Sequence, residues 1–395
     1  MVGIMTVEQT PNQIPSLLNL FVRFIRLGLT AFGGPSMVAY IRKLAVEQQR
    51  WLDDESFRDG VALCQMIPGA TAMQAAAYVG LRARGVRGAA ASFIGFGLPA
   101  FGLMLVLSAL YLQAHTLPVV VAAFRGLQVI VVAIVANAAV SFGRTSLKTW
   151  RSILIALVAA ALFGLSMNPI FVIAIAALLG LVFQDRQFTP RASVSPIGIR
   201  RSGRPLLFLI AAAASGFVLL FLIQRILFDL AALMFRIDLF AFGGGFASIP
   251  LMFHEIVEVR SWLDSPTFLN GIVLGQITPG PIVITATFVG YQLYGLVGGL
   301  IATVGVFLPS FLIVIGTAPY FDRLRRSRSF NQAIGGVLCS FVGLLLTVTV
   351  RFAGAISWDV LRLLLVGTAF IALLRKVDIL WVVLIGAVLS IILAI

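Results

Sequence analysis

Long apolar stretches recur from one end of the chain to the other, and each is about as long as a membrane-spanning helix. Stretches of roughly 20 residues with few charges are typical of transmembrane helices. The composition agrees, because 60% of the 395 residues are hydrophobic and only 11% are charged. Soluble globular domains contain about 25% charged residues. The sequence therefore predicts an all-α polytopic membrane protein.

The basic residues are concentrated in the short gaps between these apolar stretches. The formal net charge is +14, which in a soluble domain would indicate nucleic-acid binding. Lys and Arg that flank apolar helices instead set the orientation of a membrane protein, with basic loops on the cytoplasmic side. We therefore expect the lipid bilayer, and not nucleic acid, as a partner. Cys64 and Cys339 both lie in apolar stretches, so no disulfide framework or cysteine metal site is expected.

The chain contains an internal duplication. Matching stretches recur at a separation that is constant to within one residue, as expected for one duplicated unit with small insertions. The matching pairs are RLGLTAFGGPS at 26–36 with RIDLFAFGGGF at 236–246, RWLDDESFRDGVALCQMIPGA at 50–70 with SWLDSPTFLNGIVLGQITPGP at 261–281, and YVGLRARGVRGAAASFIGFGLPAF at 78–101 with FVGYQLYGLVGGLIATVGVFLPSF at 288–311.

The duplication divides the chain into two membrane repeats and a connection. The predicted domains are a first repeat at 1–183, a basic cytoplasmic linker at 184–205, an extra transmembrane helix at 206–225 and a second repeat at 226–395. We predict about thirteen membrane-entering segments: 16–39, 60–80, 88–112, 118–143, 152–165 and 169–183 in the first repeat, the unpaired 206–225, and 226–252, 271–292, 295–319, 333–350, 359–374 and 378–395 in the second.

The charges of corresponding loops predict that the two repeats are inverted. The loop at 81–87 carries three arginines, whereas its counterpart QLYG at 292–295 carries no basic residue. The next loop, YLQAHTLP at 111–118, has no Lys or Arg, whereas its counterpart at 320–332 contains four arginines. If basic loops stay in the cytoplasm, the repeats run in opposite directions through the membrane. Inverted repeats are a common plan of secondary transporters.

The first two segments of each repeat are ambiguous. Each segment either crosses the membrane or enters and returns as a helical hairpin. If the segments re-enter, the basic loop between 16–39 and 60–80 stays inside and its more acidic counterpart lies outside. This arrangement agrees better with the charge rule, whereas the segment lengths agree about equally with crossing. We favour re-entrant hairpins.

Helix-breaking residues interrupt the stretch GQITPGPIVIT at 275–285. Proline inside a helix removes a hydrogen bond and clashes with the preceding turn, so Pro279, Gly280 and Pro281 should end one helix near Ile277. A new helix can begin at Pro281. Its first N–H groups and partial positive charge can bind an anion. In a membrane, such a break must face protein or a water-filled cavity.

The first repeat contains the same kind of break in CQMIPGA, at Pro68 and Gly69. A glutamine lies three residues before the proline in both repeats, Gln65 in the first and Gln276 in the second. A second pair of breaks is predicted at glycine pairs and triplets, namely Gly33 and Gly34 in the first repeat and Gly243, Gly244 and Gly245 in the second. Glycines in membrane helices often serve only close packing. Breaks at matching places of inverted repeats nevertheless indicate a transporter binding site.

Few ionisable residues lie within the apolar segments, and these are candidates for function. Arg26 and Arg236 recur at the same place in the repeats and could hold an anion, although arginines near helix ends also extend to the interface. The same alternative applies to Arg125, whose counterpart is Gly335. Asp238 has no acidic counterpart and could carry a coupling proton or pair with an arginine.

The sequence contains no catalytic motif in a usable context. His254 and Glu255 lack the second histidine of a zinc-hydrolase motif, and no P-loop or dinucleotide fingerprint is present. We therefore predict that the chain is not an enzyme and needs no cofactor.

These motifs resemble those of the chromate ion transporter family in its long form, which has two homologous halves. The resemblance covers nearly the whole chain and rests on LGLTAFGGP, RWLDDESF with LCQMIPG, FGGGFASIPL and QITPGPIVITATFVG. It implies a multi-pass protein of the cytoplasmic membrane that exports chromate, driven by the proton-motive force.

The predicted function is therefore secondary transport of chromate or a related tetrahedral oxyanion. We expect the anion to bind between the repeats, with N–H groups after Gly69 and Gly280 as donors, Gln65, Gln276 and Thr278 beside them, and arginines nearby. The alternatives are a passive anion channel and a membrane-embedded enzyme acting on a lipid-like substrate. The sequence also allows a homodimer.

Overall fold

The computed structural model describes residues 15–32, 36–183 and 203–393. These residues form helices and no β-strand, which confirms the predicted all-α class. Helices that are long and apolar enough to cross a membrane, by length and composition, are Thr71–Ala114, Pro118–Ser146, Gly203–Ile223, Ile282–Arg326 and Arg328–Gly354.

The first repeat begins with two short helical pairs that are separated by breaks. Side chains cap several helix starts; Asp53, for example, accepts a hydrogen bond from the Ser56 N–H at 2.7 Å. The helices are α1 (Leu17–Thr30), α2 (Ser36–Arg42, extended by a π-helical turn at Lys43–Gln48), α3 (Asp54–Met66), α4 (Thr71–Ala114), α5 (Pro118–Ser146), α6 (Trp150–Gly164) and α7 (Pro169–Phe183).

The second repeat follows a connecting helix, α8 (Gly203–Ile223), and has the same order of elements apart from one additional short helix, α13 (Phe321–Arg326). Its helices are α9 (Arg225–Leu239), α10 (Ser248–Phe253, extended by a π-helical turn at His254–Val259), α11 (Ser265–Ile277), α12 (Thr285–Thr317), α13 (Phe321–Arg326), α14 (Arg328–Gly354), α15 (Val360–Leu374) and α16 (Ile379–Ile392). Helices α6, α7, α15 and α16 are short, with 14 or 15 residues each.

The first part of the first repeat forms helical hairpins whose outer ends lie together. Helix α4 bends at Arg84 and Gly85, and Arg84 Nη1 donates to the Pro15 carbonyl just before α1 at 3.3 Å. Arg82 donates to the Ser56 hydroxyl near the start of α3 at 3.2 Å. The start of α1, the start of α3 and the bend of α4 therefore lie together, as the re-entrant interpretation predicts.

Close packing holds the arms of the α3–α4 hairpin and its counterpart together. A Cβ added at Gly60 of α3 would lie 2.2 Å from the Tyr78 ring, and one added at Gly271 of α11 would lie 2.5 Å from the Phe288 ring. These pairs occupy matching positions in the repeats. Helix α12 bends at Gly295, as α4 does at Gly85. The two hairpins therefore have the same internal design.

The ends of the molecule show that the repeats are inverted. Arg325, beside the end of α13, lies 3.3 Å from Asp59 of α3, at the end that also holds the bend of α4. In a parallel repeat, α13 would instead share an end with the α4–α5 turn. We call the end that contains Arg82, Arg84 and Arg325 the basic end. At the opposite end, Arg351 of α14 pairs with Glu258.

The two repeats interlock through their long helices. Helix α5 of the first repeat packs against α15 and α16 of the second, while α14 of the second packs against α6 and α7 of the first. Helix α12 packs against α4, so one continuous apolar core joins the repeats. The breaks described next lie within this core.

Candidate functional site

The breaks of the two repeats are hydrogen-bonded to one another across the molecule. The Gly69 N–H donates to the Ala241 carbonyl at 2.9 Å, and the Gly280 N–H donates to the Ala31 carbonyl at 3.0 Å. Each bond joins a proline–glycine break of one repeat to the glycine-rich break of the other. Gly33 and Gly34 lie outside the described residues.

Glycine is required at these breaks by the backbone conformation. The φ angles are +119° at Gly69 and +124° at Gly280, with +91° at Gly243 and +95° at Gly244. Side-chain-bearing residues rarely adopt such values. The predicted interruption of the helices is therefore present, and the N–H groups of Gly69 and Gly280 are satisfied by protein, as a break inside a membrane requires.

A buried polar chain lies beside the Gly69 break. Asp238 is fully buried, and its Oδ2 accepts hydrogen bonds from the Ser310 N–H at 3.0 Å and the Ser310 hydroxyl at 2.6 Å. The Ala70 N–H in turn donates to the Ser310 Oγ at 2.8 Å. Asp238 Oδ1 is buried without a hydrogen-bond partner among the described residues. A carboxylate of the second repeat is thus connected to the break of the first.

A large cavity opens from the basic end to the breaks. Its volume is about 1590 Å³, and Ala70, Thr71 and Pro281 are among its lining residues, with Gly243, Gly244 and Gly245. Thr71 begins α4, so the first turn of that helix lies at the cavity wall. No carboxylate lines the cavity within the described residues, whereas seven cationic side chains do: Arg42, Arg58, Lys148, Arg151, Arg325, Arg326 and Arg328.

The predicted glutamines and threonine occupy different environments. Gln65 is exposed and lines the cavity. Gln276 is half-buried, and its Nε2 has no hydrogen-bond partner in the described part of the chain. The Thr278 hydroxyl donates to the Leu274 carbonyl at 2.7 Å, so it satisfies a carbonyl group in the last turn of α11. Pro68 is partly exposed, and its carbonyl accepts a hydrogen bond from Gln74 at 2.5 Å.

The backbone donors differ from the prediction. The residue after Gly280 is Pro281, which has no N–H, and the Ala70 N–H after Gly69 already donates to Ser310. The N–H groups of Gly69 and Gly280 are likewise used between the repeats. Donors for an anion must therefore come from the following helix turn or from side chains.

The structure does not bring the three predicted arginines to the breaks. Arg236 Nη2 forms an ion pair with buried Glu255 at 2.5 Å, and Glu255 also pairs with Arg260. Arg26 is exposed on α1 and does not line the basic-end cavity. Arg125 lines a separate cavity of about 470 Å³ near the opposite end.

Sequence reasoning did not identify Ser310, Gln74 or most of the cavity cations. Ser310 is visible in principle, because LPSF at 308–311 differs from LPAF at 98–101 by this hydroxyl alone. Gln74 carries no such signal. Lys148 lies between α5 and α6 and Arg328 begins α14, and only the fold brings them together.

Two inverted helical repeats with paired breaks at the core are the architecture of secondary transporters. Comparison with known proteins agrees, and the chain belongs to the chromate transporter family. The family model, described as "Chromate transporter", matches residues 18–181 and 228–391. The two matched ranges correspond to the two repeats of the structure.

The alignments with three relatives cover most of this chain and most of each relative. An uncharacterized transporter, MJ0718 of Methanocaldococcus jannaschii, is 43% identical over 380 residues, which is 95% of this chain and 94% of that protein. The chromate transport protein of Pseudomonas aeruginosa is 31% identical over 357 residues, 88% of this chain and 83% of that protein. That of Cupriavidus metallidurans is 28% identical over 365 residues, 91% and 88%. No solved structure matches this chain.

Proposed function

We propose that this chain exports chromate, or a related tetrahedral oxyanion, across the cytoplasmic membrane and uses the proton-motive force. The observation that carries the proposal is the basic-end cavity. It is lined by seven cationic side chains and extends to the paired breaks. Relatives named as chromate transport proteins support the choice of anion. The basic end faces the cytoplasm, in agreement with the charge rule.

The cavity attracts anions because positive charge on its walls is not cancelled by lining carboxylates. Arg42 and Arg58 are paired with Asp54 just outside the cavity, both at 2.6 Å. Lys148 and Arg328 form no ion pair within the described residues and supply net positive charge. A cleft lined by one sign of charge concentrates the opposite ion.

Asp238 is the group that we propose for proton coupling. It is fully buried beside the break, and one of its carboxylate oxygens has no hydrogen-bond donor in the described part of the chain. Its other oxygen is linked through Ser310 to Ala70 of the first repeat. Gain or loss of a proton at Asp238 therefore changes the bonding between the repeats. Such a change favours one arrangement of the repeats over the other.

The far end of the pathway is closed by side-chain contacts between the repeats. Gln128 Nε2 donates to Asn270 Oδ1 at 2.8 Å, and Asn270 Nδ2 donates to the Tyr111 hydroxyl at 3.0 Å. The Tyr111 ring also packs edge-on against Phe288, with ring centroids 5.3 Å apart. Rocking of the repeats would separate these contacts and close the basic-end cavity, which is alternating access.

The test is uptake of chromate into everted membrane vesicles, with sulfate as competitor and an uncoupler as control. Lys148→Gln combined with Arg328→Gln should raise the KM for chromate by about tenfold, because the cavity loses unpaired positive charge. Arg87→Gln is the matched control, since Arg87 is exposed near the bend of α4 and does not line the cavity.

An unchanged KM in the double variant would contradict the role of the cavity. Chromate flux that continues in the presence of the uncoupler would identify a passive anion channel in place of a coupled transporter. Assembly as a homodimer stays a prediction.

A further inference from the structure

The cavity at the opposite end is related to the basic-end cavity by the inverted repeat. It has a volume of about 470 Å³ and is lined from α5, α11, α15 and the residues after α14. The corresponding elements of the other repeat, α14, α3, α6 and the end of α5, line the basic-end cavity. Each end of the molecule therefore has a cavity whose lining includes this set of corresponding elements.

Two guanidinium groups from different repeats line this smaller cavity. Arg125 of α5 is exposed and forms no hydrogen bond or ion pair within the described residues. Arg362 of α15 donates from Nη1 to the Ser357 carbonyl and hydroxyl, both at 2.5 Å. Its Nε is buried without a hydrogen bond, with Asp359 Oδ2 at 3.6 Å. No carboxylate lines this cavity among the described residues.

Hydrogen bonds also orient the neutral polar groups of the cavity. Gln128 donates to Asn270, which in turn donates to the Tyr111 hydroxyl. The His115 ring lies at the rim, where its Nδ1 donates to the Leu112 carbonyl at 3.0 Å. The polar side chains are thus positioned by protein contacts, and the Arg125 guanidinium is left available for a ligand.

We propose that this cavity is a second binding site for a tetrahedral oxyanion, held by Arg125 and Arg362. The proposal rests on the proposed function for its class of ligand. Guanidinium groups bind such anions well because their donors match pairs of anion oxygens. Asn270 lines this cavity and is bonded to Tyr111 in the contacts that we propose close the far end of the pathway. The site would hold the exported ion when the far end opens.

Thiol labelling in purified protein tests the site without requiring transport. Ala355 is an exposed lining residue, so Ala355→Cys places a reporter in the cavity. The native cysteines, Cys64 and Cys339, are buried, and the chain without Ala355→Cys gives the background. An anionic methanethiosulfonate should react about tenfold faster than a cationic one, because the cavity is positive. Sulfate, which does not oxidise thiols, should slow the reaction more than chloride at equal ionic strength.

Arg125→Gln and Arg362→Gln should each reduce the charge preference and the sulfate protection, and together they should abolish both. Arg125→Gln alone is the safer variant, because this side chain forms no hydrogen bond or ion pair within the described residues. Arg225→Gln removes the same charge outside this cavity, where Arg225 lies over the Phe221 ring at 4.1 Å, and should change neither result.

Equal slowing by sulfate and chloride would show simple screening and would overturn the proposal. Sulfate protection that disappears when phosphatidylglycerol is added would identify a lipid headgroup as the occupant, which also overturns it. If the protein transports chromate but sulfate does not slow the labelling, the second site is disproved and the proposed function stands. Protection in a chain that fails to transport chromate would support the site and contradict the proposed function.

Discussion

The Gly69 break and the Gly280 break have nearly the same backbone but different neighbours. Their φ angles are +119° and +124°, and both N–H groups donate to an alanine carbonyl of the other repeat. The Gly69 break lies against Ser310, which is bonded to Asp238. The backbone of the two breaks is symmetric, whereas their polar chemistry is not.

The counterpart of this polar chain is apolar at each position. Gly28 corresponds to Asp238, and Ala100, which contacts the Gly280 break, corresponds to Ser310. Pro281 corresponds to Ala70 and has no N–H to donate. A donor at position 281 would find no hydroxyl, so proline leaves no buried N–H unsatisfied there. Under the proposed function, the symmetric backbone serves the movement of the repeats and the asymmetric polar chain binds the coupling proton.

The largest effect is expected from removing the carboxylate. Asp238→Asn keeps the shape of the side chain but cannot bind and release a proton, so it should abolish chromate uptake driven by a pH gradient. Exchange of chromate between the two sides, which needs no proton, should persist. Asp229→Asn is the control, because Asp229 is exposed on the same helix. Gradient-driven uptake in vesicles that contain Asp238→Asn would disprove the assignment.

The next largest effect distinguishes the two glycines. A Cβ at Gly69 would lie 2.2 Å from Ser310 Oγ, and one at Gly280 would lie 2.7 Å from Ala100 Cβ. Both alanine variants suffer backbone strain of about 1–3 kcal/mol. Gly69→Ala should lower the free energy of unfolding by about 2 kcal/mol more, because it also breaks buried hydrogen bonds.

Denaturation in detergent measures this difference. Combining Gly280→Ala with Ala100→Gly should recover the steric part of the cost at the apolar break. Equal destabilisation by the two single variants would show that the polar chain contributes nothing to stability.

A smaller effect is expected when the polar side is made like the apolar side. Ser310→Ala leaves the buried Ala70 N–H without its acceptor, which should cost about 1–3 kcal/mol. Ser108→Ala is the matched control, because the Ser108 hydroxyl is buried and donates only to the Met104 carbonyl of its own helix at 2.7 Å. If the thermal midpoint falls by no more than it does in the control, the hydrogen bonds from Asp238 through Ser310 to Ala70 do not stabilise the fold.

The smallest effect is expected when the apolar side is made like the polar side. Pro281→Ala adds an N–H beside Ala100, which has no acceptor, and should destabilise the protein. Ala100→Ser supplies the acceptor, so the double variant should recover about 1 kcal/mol relative to the sum of the single variants. A double-mutant cycle measures this coupling, and strict additivity would mean that the two positions do not meet as Ala70 and Ser310 do.

Local sequence signals were sufficient for the architecture. The repeats and the breaks follow from short strings such as LCQMIPG and GQITPGP, because proline and glycine act on the backbone next to them. The inversion follows from the charges of corresponding loops. The basic charge of the loops also predicted that the bend of α4 and the α13 region lie at the same end of the molecule. The hairpin interpretation followed from the same charges.

The partners of the predicted residues could not be predicted from such signals. The acceptor for the Gly69 N–H is the backbone carbonyl of Ala241, which is far away in the sequence. The identity of the Ala241 side chain does not indicate this bond. Arg236 resembles Arg26 in sequence, yet within the described residues only Arg236 meets a carboxylate, because Glu255 returns beside it through a π-helical turn. Contacts of this kind depend on the packing of whole hairpins.

The short outer helices have a consequence for the surrounding lipid. Helices of 14 or 15 residues, such as α7 and α16, rise about 21–22 Å, whereas the hydrocarbon core of a bilayer is about 30 Å thick. Tilting shortens their reach further, and such a mismatch is accommodated by local thinning of the bilayer, by flanking side chains that extend to the interface or by oligomerisation. The protein therefore creates a hydrophobic mismatch along its flanks, and lipids with shorter acyl chains relieve it. The thickness of the host membrane is thus a property to which the energy of this fold responds.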